Sequence, residues 1–202
     1  MAMTRLSRFQ RLALLTASTT VITGGALLPS TAFAAPAPDT TSVAVADARW
    51  VETKDAPSGI TAQLPEKTEA ERVPGGRTYI ATTDSTVVQF SVTEAPGISQ
   101  NDLKIIFKGY LMGYNETVES SDEKLTSSNV RKGTTADGHH TLHADVRSPD
   151  GTVGHVDLIL VDDYMIQTAT IGIDEEPDTV KSDHEKLVDS IQLPADKRGQ
   201  AT

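Results

Sequence analysis

The stretch HTLHADVRSPDGTVGHVDLILV, from His140 to Val161, alternates apolar and polar residues on both sides of Ser148-Pro149-Asp150-Gly151. Proline at the second turn position and glycine at the fourth suit a type I turn closed by a left-handed residue, which joins antiparallel strands through a three-residue loop between Ser148 and Thr152. That register sets Val146 against Gly154, Ala144 against Val156 and Leu142 against Leu158 on one face. On the other face it sets Asp145 against His155 and His143 against Asp157. A chain holding this hairpin must build a sheet with an apolar side to cover and a second side bearing two crossed His/Asp pairs.

The flanking segments supply the rest of such a sheet. Trp50 to Thr53, GITAQLP from Gly59, GGRTYIATT from Gly75 and STVVQFSVTEAPG from Ser85 are strand-like, and in the last Val88, Phe90 and Val92 alternate with polar residues. SQNDLKIIFKGYLMGYNE then carries Leu103, Ile106, Phe107, Tyr110, Leu111 and Tyr114 at helical spacing behind Ser99 and Asp102, an approximate capping box. This predicts one long helix, expected to lie over Val88, Phe90 and Val92. Val118 to Gly138 is polar and predicts an edge strand with a long exposed loop. After the hairpin, YMIQTATIG is a further strand. A short helix follows, with Val180, His184, Leu187 and Val188 on one side and Ser182 with Glu185 as its cap, and Ser190 to Leu193 closes as a strand. The fold class expected is α+β, a largely antiparallel β-sheet with one long and one short C-terminal helix packed on it.

At its start the chain has Arg5, Arg8 and Arg11, an apolar stretch from Leu12 to Leu28, and the small-residue site Ala32-Phe33-Ala34. This predicts an export signal over residues 1–34, then a flexible leader over 35–48, a single domain over 49–194 and a disordered tail over 195–202. Removing the signal takes three of the 18 basic residues and none of the 28 acidic ones, so the exported chain carries 15 against 28, a formal charge of −13. Such a charge repels phosphate backbones and argues against a nucleic-acid partner. No later segment is apolar enough for stable membrane insertion, and with no cysteine there is neither a disulfide nor a thioether lipid anchor. The expected setting is secreted and extracellular, with an extracellular protein or a small ligand as partner and no cofactor.

His143, Asp145, His155 and Asp157 are the candidate site. Solvated, each pair is a surface contact worth at most about 1 kcal/mol. With further ligands or water they could hold a divalent cation through nitrogen and oxygen, and beneath a pocket Asp145 could orient His155 as a general base. His139 stands roughly 13 Å from His143 along an extended strand and is outside such a cluster. His184 is expected to be a boundary or surface histidine. There is no H-E-x-x-H pair, G-x-S-x-G elbow or glycine-rich phosphate loop. Asp162-Asp163 reads as a turn, Asp174-Glu175-Glu176 before Pro177 as a helix approach or an acidic rim, and Asn115-Glu116-Thr117 fits a glycosylation acceptor. The expectation is a secreted non-enzymatic binding or accessory protein, with its ligand surface in the segment from Glu119 to Gly138. The alternatives are a metal-dependent or His/Asp-based extracellular hydrolase, and a secreted protease inhibitor.

GITAQLP leading to GGRTYI, the long SQNDLKIIFKGYLMGY helix, the strands through DGTVGHVDLILVDDYMIQTAT and the closing LVDSIQLP together resemble the PsbP-like family of small exported α+β domains. The resemblance spans Trp50 to Pro194 and lies in element order and apolar texture. It implies an accessory, assembly or binding role, in some members on photosynthetic membranes, and no catalytic motif is carried over. Many such domains are lipid-anchored through a cysteine that this chain lacks.

Overall fold

The computed structural model describes residues 50–83, 85–172 and 177–194; the expected export signal, leader, tail and Asp174-Glu175-Glu176 lie outside them. Nine strands are described: β1 Val51–Lys54, β2 Thr61–Leu64, β3 Glu71–Val73, β4 Gly76–Thr82, β5 Thr86–Glu94, β6 Thr126–Thr134, β7 His140–Arg147, β8 Val153–Val161 and β9 Tyr164–Gly172. Two α-helices accompany them, α1 Leu103–Thr117 and α2 Pro177–Asp189. The large sheet runs β3-β4-β5-β9-β8-β7-β6, antiparallel throughout, and β1 pairs with β2 as a separate hairpin. The α+β expectation is met.

The turn chemistry fixes the central register. Gly151 takes φ 96°, Ser148 N donates to Thr152 O at 2.9 Å, and the Asp150 carboxylate accepts from Thr152 N at 3.1 Å and from the Ser148 and Thr152 hydroxyls. β7 and β8 therefore pair as Leu142↔Leu158, His143↔Asp157, Ala144↔Val156, Asp145↔His155 and Val146↔Gly154, the pairing read from the sequence. Asp162, at φ 51°, and Asp163 form the two-residue turn into β9.

Each face of the sheet has its own cover. On one, α1 lays Leu103, Phe107 and Tyr114 onto Leu142, Ala144, Val146, Val156, Leu158 and Leu160, with Ile106, Tyr110 and Leu111 packed at the margin. Each large side chain so buried contributes roughly 1.5 to 3 kcal/mol. On the other, β2 and α2 cover Val88, Phe90 and Val92 through Ile60, Ala62, Leu64 and Leu187. The expectation that the long helix lies over Val88, Phe90 and Val92 is therefore corrected. Their strand neighbour Val87 faces α1 instead, because every residue of β5 from Thr86 to Val92 is buried and either parity could have served as the helix-facing side.

Other expectations also shift. Ser182 lies inside α2 rather than capping it, since the helix begins at Pro177, a residue suited to a first turn. The expected closing strand is a single bridge, Gln192 with Thr61. The middle of the polar segment is the nine-residue edge strand β6, bulged between Ser128 and Arg131 where Asn129 takes φ 50°. Deleting Glu119 to Gly138 would thus remove a strand rather than a loop. Asn115 spends its amide on Leu125, donating to its carbonyl at 2.9 Å and accepting from its N–H at 2.8 Å, which ties the end of α1 to the start of β6.

Candidate metal centre

The register of the sheet creates a polarity gradient beneath α2. One row across the strands reads Tyr79, Phe90, Thr168, Asp157, His143, Arg131; the next reads Ala81, Val88, Thr170, His155, Asp145, Ser128. Apolar residues at the β4 and β5 end give way to threonines on β9 and then to histidine and aspartate on β8 and β7. α2 crosses this face with Val180, His184 and Leu187 turned inward. The two aliphatic residues complete the core, and His184 between them meets the polar rows.

His184 is only 4% exposed, which corrects its expected place at the surface. Its Nε2 lies 2.6 Å from Asp157 Oδ2, and its Nδ1 lies 3.2 Å from Thr170 Oγ1. His143 Nδ1 stands 3.2 Å from each oxygen of Asp157, and its Nε2 stands 3.2 Å from Asp145 Oδ1. His155 Nδ1 is 2.8 Å from the same Asp145 oxygen, while the bulge residue Asn129 donates to Asp145 Oδ2 at 2.5 Å. The three imidazoles form a triangle with ring centroids 5.5 to 6.3 Å apart.

One proton assignment satisfies these contacts. Both nitrogens of His143 face carboxylates, so the ring donates twice as an imidazolium; the Asp157 hydrogen bond raises its pKa, against the opposing effect of burial. His155 moves the other way, lowered first by burial and then by the neighbouring His184 and His143 charges, despite its bond to Asp145. Burial alone would raise Asp157, but hydrogen bonds from His143 and His184 and their charge prevail and hold its carboxyl at about 2. Asp145 is likewise lowered: the bonds from Asn129, His155 and His143 overcome its burial. The cluster thus presents two ionised carboxylates and a neutral His155, states that metal ligation requires, while the His143 imidazolium must give up a proton to bind an ion.

All four residues singled out in the sequence converge here, in the expected pairs. Two ligand triplets result, His143/Asp157/His184 and His143/Asp145/His155, each with its donor atoms within 4.8 Å of one another. Adjacent donors on a tetrahedral ion with ligand bonds near 2.0 Å stand roughly 3.3 Å apart. The 3.2 Å contacts already match that spacing, and the 2.6 and 2.8 Å contacts need open by about 0.7 and about 0.5 Å. Three imidazoles with two carboxylates suit zinc, copper or nickel rather than calcium or magnesium. Arrival from solvent is open on the outer side, where the Asp145 and His155 side chains are 27% and 20% exposed. A cleft of about 170 Å³ lined by Ser128, Asp145, His155 and Pro177 adjoins them.

Sequence reasoning missed His184, Thr170 and Asn129. The signal for His184 was its place between Val180 and Leu187 on the apolar side of α2, where a histidine needs a polar partner across the interface. The bulge that turns Asn129 toward Asp145 leaves no comparable mark in the sequence.

No protein-family model matches the chain, and no curated protein matches it. Among solved structures, cyanobacterial PsbP (CyanoP) from Synechocystis is similar at a TM-score of 0.54 and 15% identity, covering 76% of this chain and 98% of that one. LpqN of Mycobacterium tuberculosis, described as involved in cell envelope biogenesis, aligns at a TM-score of 0.38 and 9% identity, over 76% of this chain and 83% of its own. No helix among the described residues is long and apolar enough to cross a membrane. The chain therefore has the PsbP-like fold that its element order implied.

Proposed function

We propose that this chain is an exported, non-enzymatic binding protein whose ligand is a divalent transition-metal ion held by His143, Asp145, His155, Asp157 and His184. One observation carries the reading: three imidazoles and two carboxylates from two strands and a helix meet with donor atoms at ligand spacing, where any one element alone could offer only a weak site. Export is supported by the arginines, apolar stretch and Ala32-Phe33-Ala34 site of the first 34 residues. Metal analysis of the full chain, prepared without chelator, polyhistidine tag or nickel resin, tests the reading. Zinc or copper retained after dialysis, and lost from His143→Ala, is the expected result; no retention by the unaltered chain overturns it.

The cleft beside Asp145 and His155 favours one second reading, a metal-dependent extracellular hydrolase in which bound water attacks a substrate lodged there. Ester and peptide panels assayed with added zinc test it. Turnover abolished by His155→Ala supports hydrolysis, and no turnover or turnover indifferent to that change ends it.

A further inference from the structure

We infer that the centre is a pair of metal half-sites sharing the His143 ring, so that its full complement is two divalent ions bridged by one imidazole. The inference rests on the metal-binding reading above and goes beyond it in number and arrangement. His143 Nδ1 faces Asp157, whose Oδ2 contacts His184 Nε2 at 2.6 Å; His143 Nε2 faces Asp145, whose Oδ1 contacts His155 Nδ1 at 2.8 Å. Each nitrogen of the ring thus has its own carboxylate and its own second imidazole, and only His143 belongs to both triplets.

The two nitrogens of an imidazole diverge, so one ion cannot take both. Ions bound about 2.0 Å from each would lie roughly 6 Å apart, with the ring between them. A single ion would leave one carboxylate and one imidazole of this compact group unused. The first ion displaces one ring proton of His143 to solvent, and the second displaces the other, leaving an imidazolate. In the loaded centre His155 and His184 each keep a proton on the non-ligating nitrogen alone, any other passing to solvent. Two dications, one imidazolate and two carboxylates sum to a single positive charge, which a chain with 28 acidic residues accommodates.

The half-sites differ in access. The Asp157 and His184 side chains are 14% and 5% exposed beneath α2, whereas Asp145 and His155 border the open cleft. The outer ion should exchange faster.

Copper(II) and zinc(II) titrated separately into the metal-stripped full chain, without a polyhistidine tag, test the arrangement by native mass spectrometry, with electron paramagnetic resonance on the copper form. Two ions per chain are expected, with the copper signal growing to one equivalent and collapsing toward two as the bridged spins couple. His155→Ala should bind one ion, and its uncoupled copper signal should persist. His184→Ala should also bind one. Because His184 is buried, His155→Ala, checked by circular dichroism, decides the matter should His184→Ala fail to fold. One ion in the unaltered chain, two ions with an undiminished copper signal, or two ions in His155→Ala would each overturn the bridge. No ion at all would overturn the metal-binding reading beneath it.

Discussion

Replacing Asp157 by Asn keeps the shape of the side chain and removes the charge on which the inner half of the cluster rests. In the metal-free protein that carboxylate accepts from His143 and His184, and its pKa stands at about 2 against an ordinary 3.8. Such a depression corresponds to roughly 2.5 kcal/mol of folding stability. Its folded pKa lies below the unfolded value, so the contribution is complete above about pH 4 and is lost as pH falls toward 2. Trp50 supplies the readout: it packs on the α2 face of the sheet, with Lys186 Nζ 4.5 Å from its ring centroid. Urea unfolding of the full chain in EDTA, followed by tryptophan fluorescence, should place Asp157→Asn roughly 2.5 kcal/mol below the unaltered protein at pH 7. The two should converge by about that amount between pH 4 and 2. A difference under about 0.5 kcal/mol at pH 7, or a constant gap down to pH 2, would refute the assigned role of this carboxylate.

His143 has a raised pKa, so its contribution is full below about pH 6.5 and lost as pH rises through the folded value. Metal-free stability should therefore fall on the alkaline side, and His143→Gln should flatten that limb in the same unfolding assay. Phe107→Ala empties a site in the core beneath α1 and should cost about 3 to 5 kcal/mol while leaving zinc stoichiometry unchanged, because the centre lies on the opposite face. Gly151→Ala forces a side chain into φ 96° and should cost about 1 to 2 kcal/mol by thermal unfolding, through the turn that sets the His/Asp register.

The hairpin was legible because one turn fixed it. Pro149 and Gly151 determine the loop length, loop length determines register, and register alone pairs His143 with Asp157 and Asp145 with His155. The apolar stripe of α1 was equally readable, since Leu103, Phe107 and Tyr114 keep helical spacing. Which sheet face that stripe covers was not. β5 is buried on both sides, so its alternation does not say whether α1 meets Val87 or Val88; α2 and the β1–β2 hairpin take the Val88 side. The same ambiguity hid His184. Once α2 is seen to cross that face, a histidine between Val180 and Leu187 falls onto Asp157, but local sequence carries no record of which helix covers which face.

If His143, His155 and His184 act together as the nitrogen ligands of a metal centre, the chain's five histidines report it ring by ring. Proton–nitrogen correlation spectra of the histidine side chains should be recorded on the full chain as zinc is added. The rings of His143, His155 and His184 are predicted to shift or broaden together, while His139 and His140, outside the cluster, remain in place. Responses confined to His139 and His140, or no response in any ring, would exclude a shared centre of these three rings.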